Sequence, residues 1–198
     1  MTTNKLVLAL AATAAIGSLA TGGAVAFAAV PSTGTGTQAT QAATGDAKIA
    51  LECLAAGEVA NPGSWRPGAR LNTDSTHGFL VVRDDQHAAV CVVEDGRGTG
   101  LMGGVIDNHG YGKLTAARPF DYLTSMNYDH ESVHFGIASQ DVTGVTLLGP
   151  DGTPAAAGVK DGTFAVLAKD AEDSNKPTTN SIRATLADGR VSTGPFRG

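Results

Sequence analysis

Apolar residues follow three different patterns along this chain. Leu6 to Phe27 runs without a charged side chain and is rich in Ala, Leu and Val. Gly78–Arg83 and His87–Val93 are apolar on consecutive residues, with the polar Asp84-Asp85-Gln86 between them. Downstream, Val133, Phe135 and Ile137 alternate with Ser132, His134, Gly136 and Ala138. The second pattern predicts a hairpin covered on both faces, and the third a strand with one distinct apolar face. Further short strands are expected at Val142–Leu148, Ala155–Val159, Phe164–Leu167, Ile182–Leu186 and Val191–Phe196. The turns Pro150-Asp151-Gly152, Lys160-Asp161-Gly162 and Asp188-Gly189 separate them. Short strands with Asp-Gly turns about every ten residues predict an antiparallel sandwich or barrel.

Elsewhere the pattern is weaker. Asp46 to Gly57 predicts one short helix, with Asp46 as N-cap and Ile49, Cys53 and Leu54 on one face. A strand over Ile49–Leu54 is the alternative. Asn61–Gly68 is punctuated by Pro and Gly and reads as a loop. Glu94–Gly104 reads as a Gly-rich irregular excursion, Lys113–Ala117 as a strand, and Phe120–Asn127 is compatible with a helix.

The first pattern bears on location. Met1 to Ala28 has the layout of an export signal, with Lys5 before the apolar run and Ala26-Phe27-Ala28 at a peptidase-type boundary. A retained anchor is the alternative, since the run is long enough to span a bilayer. Thr13, Ser18, Thr21 and Gly22-Gly23 soften the run, and no basic cluster follows it. Residues 29–45, rich in Thr, Gly, Ala and Gln and free of charge, read as a disordered spacer. The expected organisation is therefore signal 1–28, spacer 29–45, a β-rich part over 46–131 and a β module over 132–198. The expected location is secreted or at the cell envelope.

Lys5 is the only charge in the signal, so its removal moves the formal net charge from −5 to −6 and leaves 170 residues. An acidic balance argues against nucleic acid and against adsorption to anionic lipid. Cys53 and Cys91 are the only cysteines. In an exported chain such a pair is most simply a disulfide, with two buried thiols as the alternative.

The segment Asp141–Ala168, DVTGVTLLGPDGTPAAAGVKDGTFAVLA, resembles a strand-turn-strand module of exported or envelope-associated bacterial proteins. In those proteins, strands joined by D-G turns build part of an immunoglobulin-like sandwich. The resemblance spans roughly residues 133–196. It implies architecture and carries no functional residues.

One motif bears on chemistry. His130-Glu131-Ser132-Val133-His134 reads H-E-x-x-H and resembles the zincin peptidases. In a helix, His130 and His134 would share a zinc ion and Glu131 would act as base. In a strand, residues four apart stand about 13 Å apart and cannot share a metal. The Val133/Phe135/Ile137 alternation favours strand, Gly136 weakens a helix, and no histidine follows His134. Gly98-Thr99-Gly100-Leu101-Met102-Gly103 matches a dinucleotide loop, but no helix pattern follows it. Trp65 with Tyr111, Tyr122 and Tyr128 would suit a sugar platform; a core plug is the alternative for Trp65. His77, His87 and His109 stand singly, and Asp170-Ala171-Glu172-Asp173 lacks the spacing of a calcium loop.

The reading is a mainly β protein with no assembled catalytic residues, no cofactor and no metal. It has an unidentified envelope or extracellular partner, and no membrane contact after signal cleavage. Binding or structure is favoured over catalysis. A small zinc peptidase built on His130, Glu131 and His134 is the first alternative. A secreted protease inhibitor presenting the Trp65 loop or the Gly-rich excursion is the second.

Overall fold

A computed structural model describes residues 44–107, 109–128, 131–169 and 180–197, without the side chains of Tyr128 and Lys169. The signal, the spacer up to residue 43, Asp129, His130 and the acidic run 170–173 lie outside the described residues. Gln41–Gly198 forms one unit.

The protein is mainly β; the described residues form one α-helix and two antiparallel sheets. The helix, α1, covers Asp46–Ala56. It buries Ile49, Ala50, Cys53 and Leu54, so the expected apolar face is the one used. Gly45 is the N-cap and Asp46 is the first helical residue. Instead of capping, the Asp46 carboxylate takes hydrogen bonds from Arg70 Nη1 at 2.8 Å and Lys160 Nζ at 3.3 Å.

The first sheet runs in the order β1 (Arg66–Asn72), β2 (Gly78–Arg83), β3 (His87–Glu94), β4 (Arg97–Asp107). The expected hairpin is β2–β3, with Val81 opposite Val90. Its consecutive apolar residues serve two cores. Leu80, Val82, Ala89, Cys91 and Val93 pack with α1 and Trp65 on one face. Phe79, Val81, Ala88 and Val90 pack on the other against Val133, Phe135 and Ala165 of the second sheet.

The second sheet has the order β11-β10-β7-β8-β9-β6-β5. Its strands are β5 (Phe120–Tyr128), β6 (Glu131–Ala138), β7 (Val142–Leu148), β8 (Pro154–Lys160), β9 (Thr163–Lys169), β10 (Ser181–Leu186) and β11 (Val191–Pro195). β8 is its corner. Residues 154–157 pair with β7, while 158–160 pair with β9. One cluster then joins the two halves, with Phe120, Phe164 and Val166 against Val145, Leu147, Ile182, Ala184 and Phe196. Strands β6 and β9 are thus covered on both faces. The layers run from helix to first sheet, to the β9-β6-β5 half, to the β7-β10-β11 half, and the first two sheet layers form a sandwich.

Four expectations about elements are corrected. Arg66–Gly68 begins strand β1 rather than continuing a loop. Glu94–Gly104 is mostly strand β4, entered through a two-residue turn in which Asp95 and Gly96 both have positive φ, 51° and 71°. That is the geometry a right-twisted hairpin requires. Lys113–Ala117 is no strand; His109–Lys113 is a 3₁₀ turn. Phe120–Asn127 is strand, not helix, and it pairs with β6 across the boundary placed at 131/132.

The disulfide joins Cys53 of α1 to Cys91 of β3, both fully buried, with their Cα atoms 5.7 Å apart. It is consistent with an oxidising, extracellular location. Among the described residues no helix is long and apolar enough to cross a membrane.

Candidate functional site

Strand β6 carries the motif that the sequence singles out. Glu131–His134 is extended, so Glu131 and His134, three apart, point to opposite faces. Glu131 stands in register with Lys169, and His134 stands between Ser125 and Val166. The helical pair that a zincin needs is not formed over Glu131–His134, because alternate β6 residues complete two cores. Val133 and Phe135 face the first sheet, leaving His134 to the opposite side. His130 lies outside the described residues. Among the described residues no three His, Cys, Asp or Glu side chains come close enough to hold a metal ion.

What β6 builds instead is a buried Ser–His pair. Residues two apart on a strand share a face, which places Ser132 Oγ 2.8 Å from His134 Nε2. His134 is 3% exposed, and its Nδ1 has no hydrogen-bond partner among the described residues. Burial, aided by the charge of Arg197, pushes the imidazole down to about 4. The pair has the distance of a nucleophile and base, but among the described residues no acidic group orients Nδ1, as a working triad requires.

The walls of this site come from both halves of the second sheet. Phe196 meets His134 at 5.6 Å between ring centroids, Tyr122 at 5.0 Å and Phe164 at 6.0 Å. Arg197 lies over the Tyr122 ring at 4.3 Å. Its Nη2 donates to Tyr122 Oη at 3.0 Å and to Ser125 Oγ at 3.2 Å. Arg118 donates to the carbonyls of Pro195 at 3.0 Å and Phe196 at 3.3 Å, and to Asp121 at 3.1 Å. Sequence reading missed Ser132, Phe196, Arg118 and Arg197. The available signal was the Ser132/His134 spacing on a strand face; nothing local points to residues so far down the chain.

A second cluster sits where the β2–β3 turn meets the β8–β9 turn. The buried Arg83 donates to the carbonyls of Asp84 and Asp161, both at 3.1 Å, and lies 4.0 Å over the Tyr111 ring. Burial pushes the Tyr111 phenol up to about 12, against the charges of Arg83 and Arg66. Nearby, Trp65 stacks on His87 at 6.3 Å, and Arg66 bonds Asp85 at 2.8 Å. Trp65 belongs to the core under α1, and one side of it lines an apolar groove of about 170 Å³ with Leu51, Pro62 and Pro67. Tyr122 is committed to the Phe196 cluster, so Trp65 and Tyr122 pack in different cores. Glycines 98, 100 and 103 lie along β4, and no cradle for a pyrophosphate forms there.

The outer face of the β8-β7-β10-β11 half is different in kind. Cross-strand register sets Thr193, Arg183, Thr146 and Ala156 in one row, and Val191, Thr185 and Gly144 in the next. A third row holds Pro195, Ser181, Leu148 and Pro154. Arg183 is the sole charge in these three rows, whose other members are hydroxyl (Thr, Ser) or apolar (Ala, Gly, Val, Leu, Pro) residues.

Comparison of the chain with protein-family models, with curated proteins and with solved structures found no match.

Proposed function

We propose that this is a secreted or envelope-associated β-sandwich protein whose role is binding or structural. An immunoglobulin-like module over residues 133–196 is its architectural part. The observation that carries the reading is the outer face of β8-β7-β10-β11. It is a grid with one charge, left open while the faces of β2, β3, β6 and β9 are covered. A contiguous exposed face of this kind suits adhesion to another surface. The buried Cys53–Cys91 disulfide and the signal-like N-terminus support an extracellular setting. The partner is an envelope or extracellular component.

Co-sedimentation of the mature protein with washed envelope material tests this. The wild type should sediment, and a variant carrying Thr146→Glu and Arg183→Glu should stay in the supernatant. Leu51→Glu, on α1, should sediment like the wild type. Equal behaviour of all three proteins would contradict the proposal.

A further inference from the structure

We propose that Pro195–Arg197 is an acid-sensitive strap, held over His134 while the imidazole is neutral and released when it gains a proton. The inference does not depend on the protein's role or location. It starts from Phe196, 1% exposed, which follows edge strand β11 and inserts between Tyr122, His134 and Phe164. The strap is tied by a few discrete bonds. They are Phe196 N–H to the Asn180 carbonyl, the two carbonyls read by Arg118, and Arg197 on Tyr122 and Ser125.

The seat of this strap has no place for a second positive charge. His134 already engages Ser132 through Nε2, and Nδ1 has no acceptor. The groups facing it can be taken element by element among the described residues. From β5 come Tyr122 and Ser125, neither acidic, and Asp121 is engaged by Arg118. From β9 come Phe164 and Val166. From the strap comes Arg197, a like charge. Glu131 on β6 points to the opposite face. An added proton therefore sits buried, unpaired and beside a guanidinium, an arrangement that favours hydration of the imidazole. Strands β6 and β9 are paired on both sides, and β5, the other edge of the sheet, is held to β6 over nearly its whole length. The cover that opens most cheaply is the segment at the sheet edge, since local opening runs through the least-bonded element.

Release hydrates His134 and uncovers an aromatic cleft lined by Tyr122 and Phe164. The imidazole has an ordinary value of 6.5 once open and about 4 while covered. Linkage then raises the open population on the order of 50-fold between about pH 7.5 and about pH 4.5.

Hydrogen exchange of the full chain, read by mass spectrometry and corrected for intrinsic rates, tests this. The amides of Phe196 and Arg197 should lose protection by that factor on acidification, while 78–94 keep theirs. His134→Gln, which can bond Ser132 without titrating, should abolish the change. Equal protection of Phe196 and Arg197 at both pH values, simultaneous opening of 78–94, or an unchanged acid response in His134→Gln would each overturn the proposal. The ring signals of His134 in the wild-type chain, followed by NMR, need no variant. A titration midpoint coinciding with strap opening is expected, and a separate midpoint overturns it.

Discussion

Gly136 shows how narrowly single residues are specified in this fold. It sits on β6 between His134 and Ala138, opposite Tyr122 and Phe164. A Cβ there would lie 2.1 Å from Phe164 Cζ and 2.6 Å from the Asp121 carbonyl oxygen. Phe164 is fully buried and cannot retreat without moving Phe196. Gly136→Ala should therefore cost about 1–3 kcal/mol, the range for overpacking a close-packed core. Denaturant unfolding would measure it; a variant as stable as the wild type would show that the rings have room. The same residue explains part of what the sequence leaves illegible. A glycine two positions after a histidine weakens a helix reading, but gives no hint that an aromatic ring from the next strand lies across it.

Helix α1 is tied to the first sheet by a covalent bond and by polar contacts, those of Asp46 and Glu52 among them. The disulfide spans a sequence separation of 38 and closes a loop worth about 4 kcal/mol in the chain-entropy model. Gly98 lets the helix backbone approach β4, since a Cβ there would lie 2.3 Å from the Ile49 carbonyl oxygen. Replacing both Cys53 and Cys91 by Ala should lower stability by about 2–5 kcal/mol, the usual cost for a small exported domain. A loss below 1 kcal/mol in urea unfolding would mean that apolar packing alone seats the helix. Asp46 supplies one of the polar contacts. Burial pushes its carboxyl up, but the bonds from Arg70 and Lys160 outweigh this and hold it below its ordinary value of 3.8. A lowered carboxyl contributes stability that is present above the unfolded value and is lost as pH falls through the folded value. Asp46→Asn should thus be less stable than the wild type at neutral pH, with the gap closing below the folded value. A gap independent of pH in parallel denaturation curves would contradict the pairing.

Elements differed in how far the chain announced them. The β2–β3 hairpin was legible because both its faces are covered, which forces apolar residues onto consecutive positions. Strand β4 was hidden by the same glycines that admit α1 and form the bulge at Gly103-Gly104, where φ is 70° and 78°. Its Asp95-Gly96 pair was the overlooked hairpin signal. Strand β5 read as a helix because a register shift between Tyr122 and Thr124 breaks its alternation around the buried Leu123. The H-E-x-x-H string was legible as letters, but its meaning depended on backbone form, and β6 is a strand because both of its faces are needed to close cores.

On the scale of the whole molecule, the layers place a helix and three β layers in succession, joined by clusters on either side of the first sheet and across the corner at β8. Such stacking commits the interior to packing and leaves the outermost face of β8-β7-β10-β11 uncovered, the face to which the proposed binding role is assigned. The proposed role places this assembly outside the cytoplasm, with its helix disulfide-bonded to its sheet. Mass analysis of the protein recovered from its native host, with and without thiol alkylation, tests it most directly. An envelope or culture-medium species that begins near Ala29, and in which neither Cys53 nor Cys91 is alkylated, is expected. An intact chain starting at Met1 in the soluble cytoplasm, alkylated at both cysteines, would contradict it.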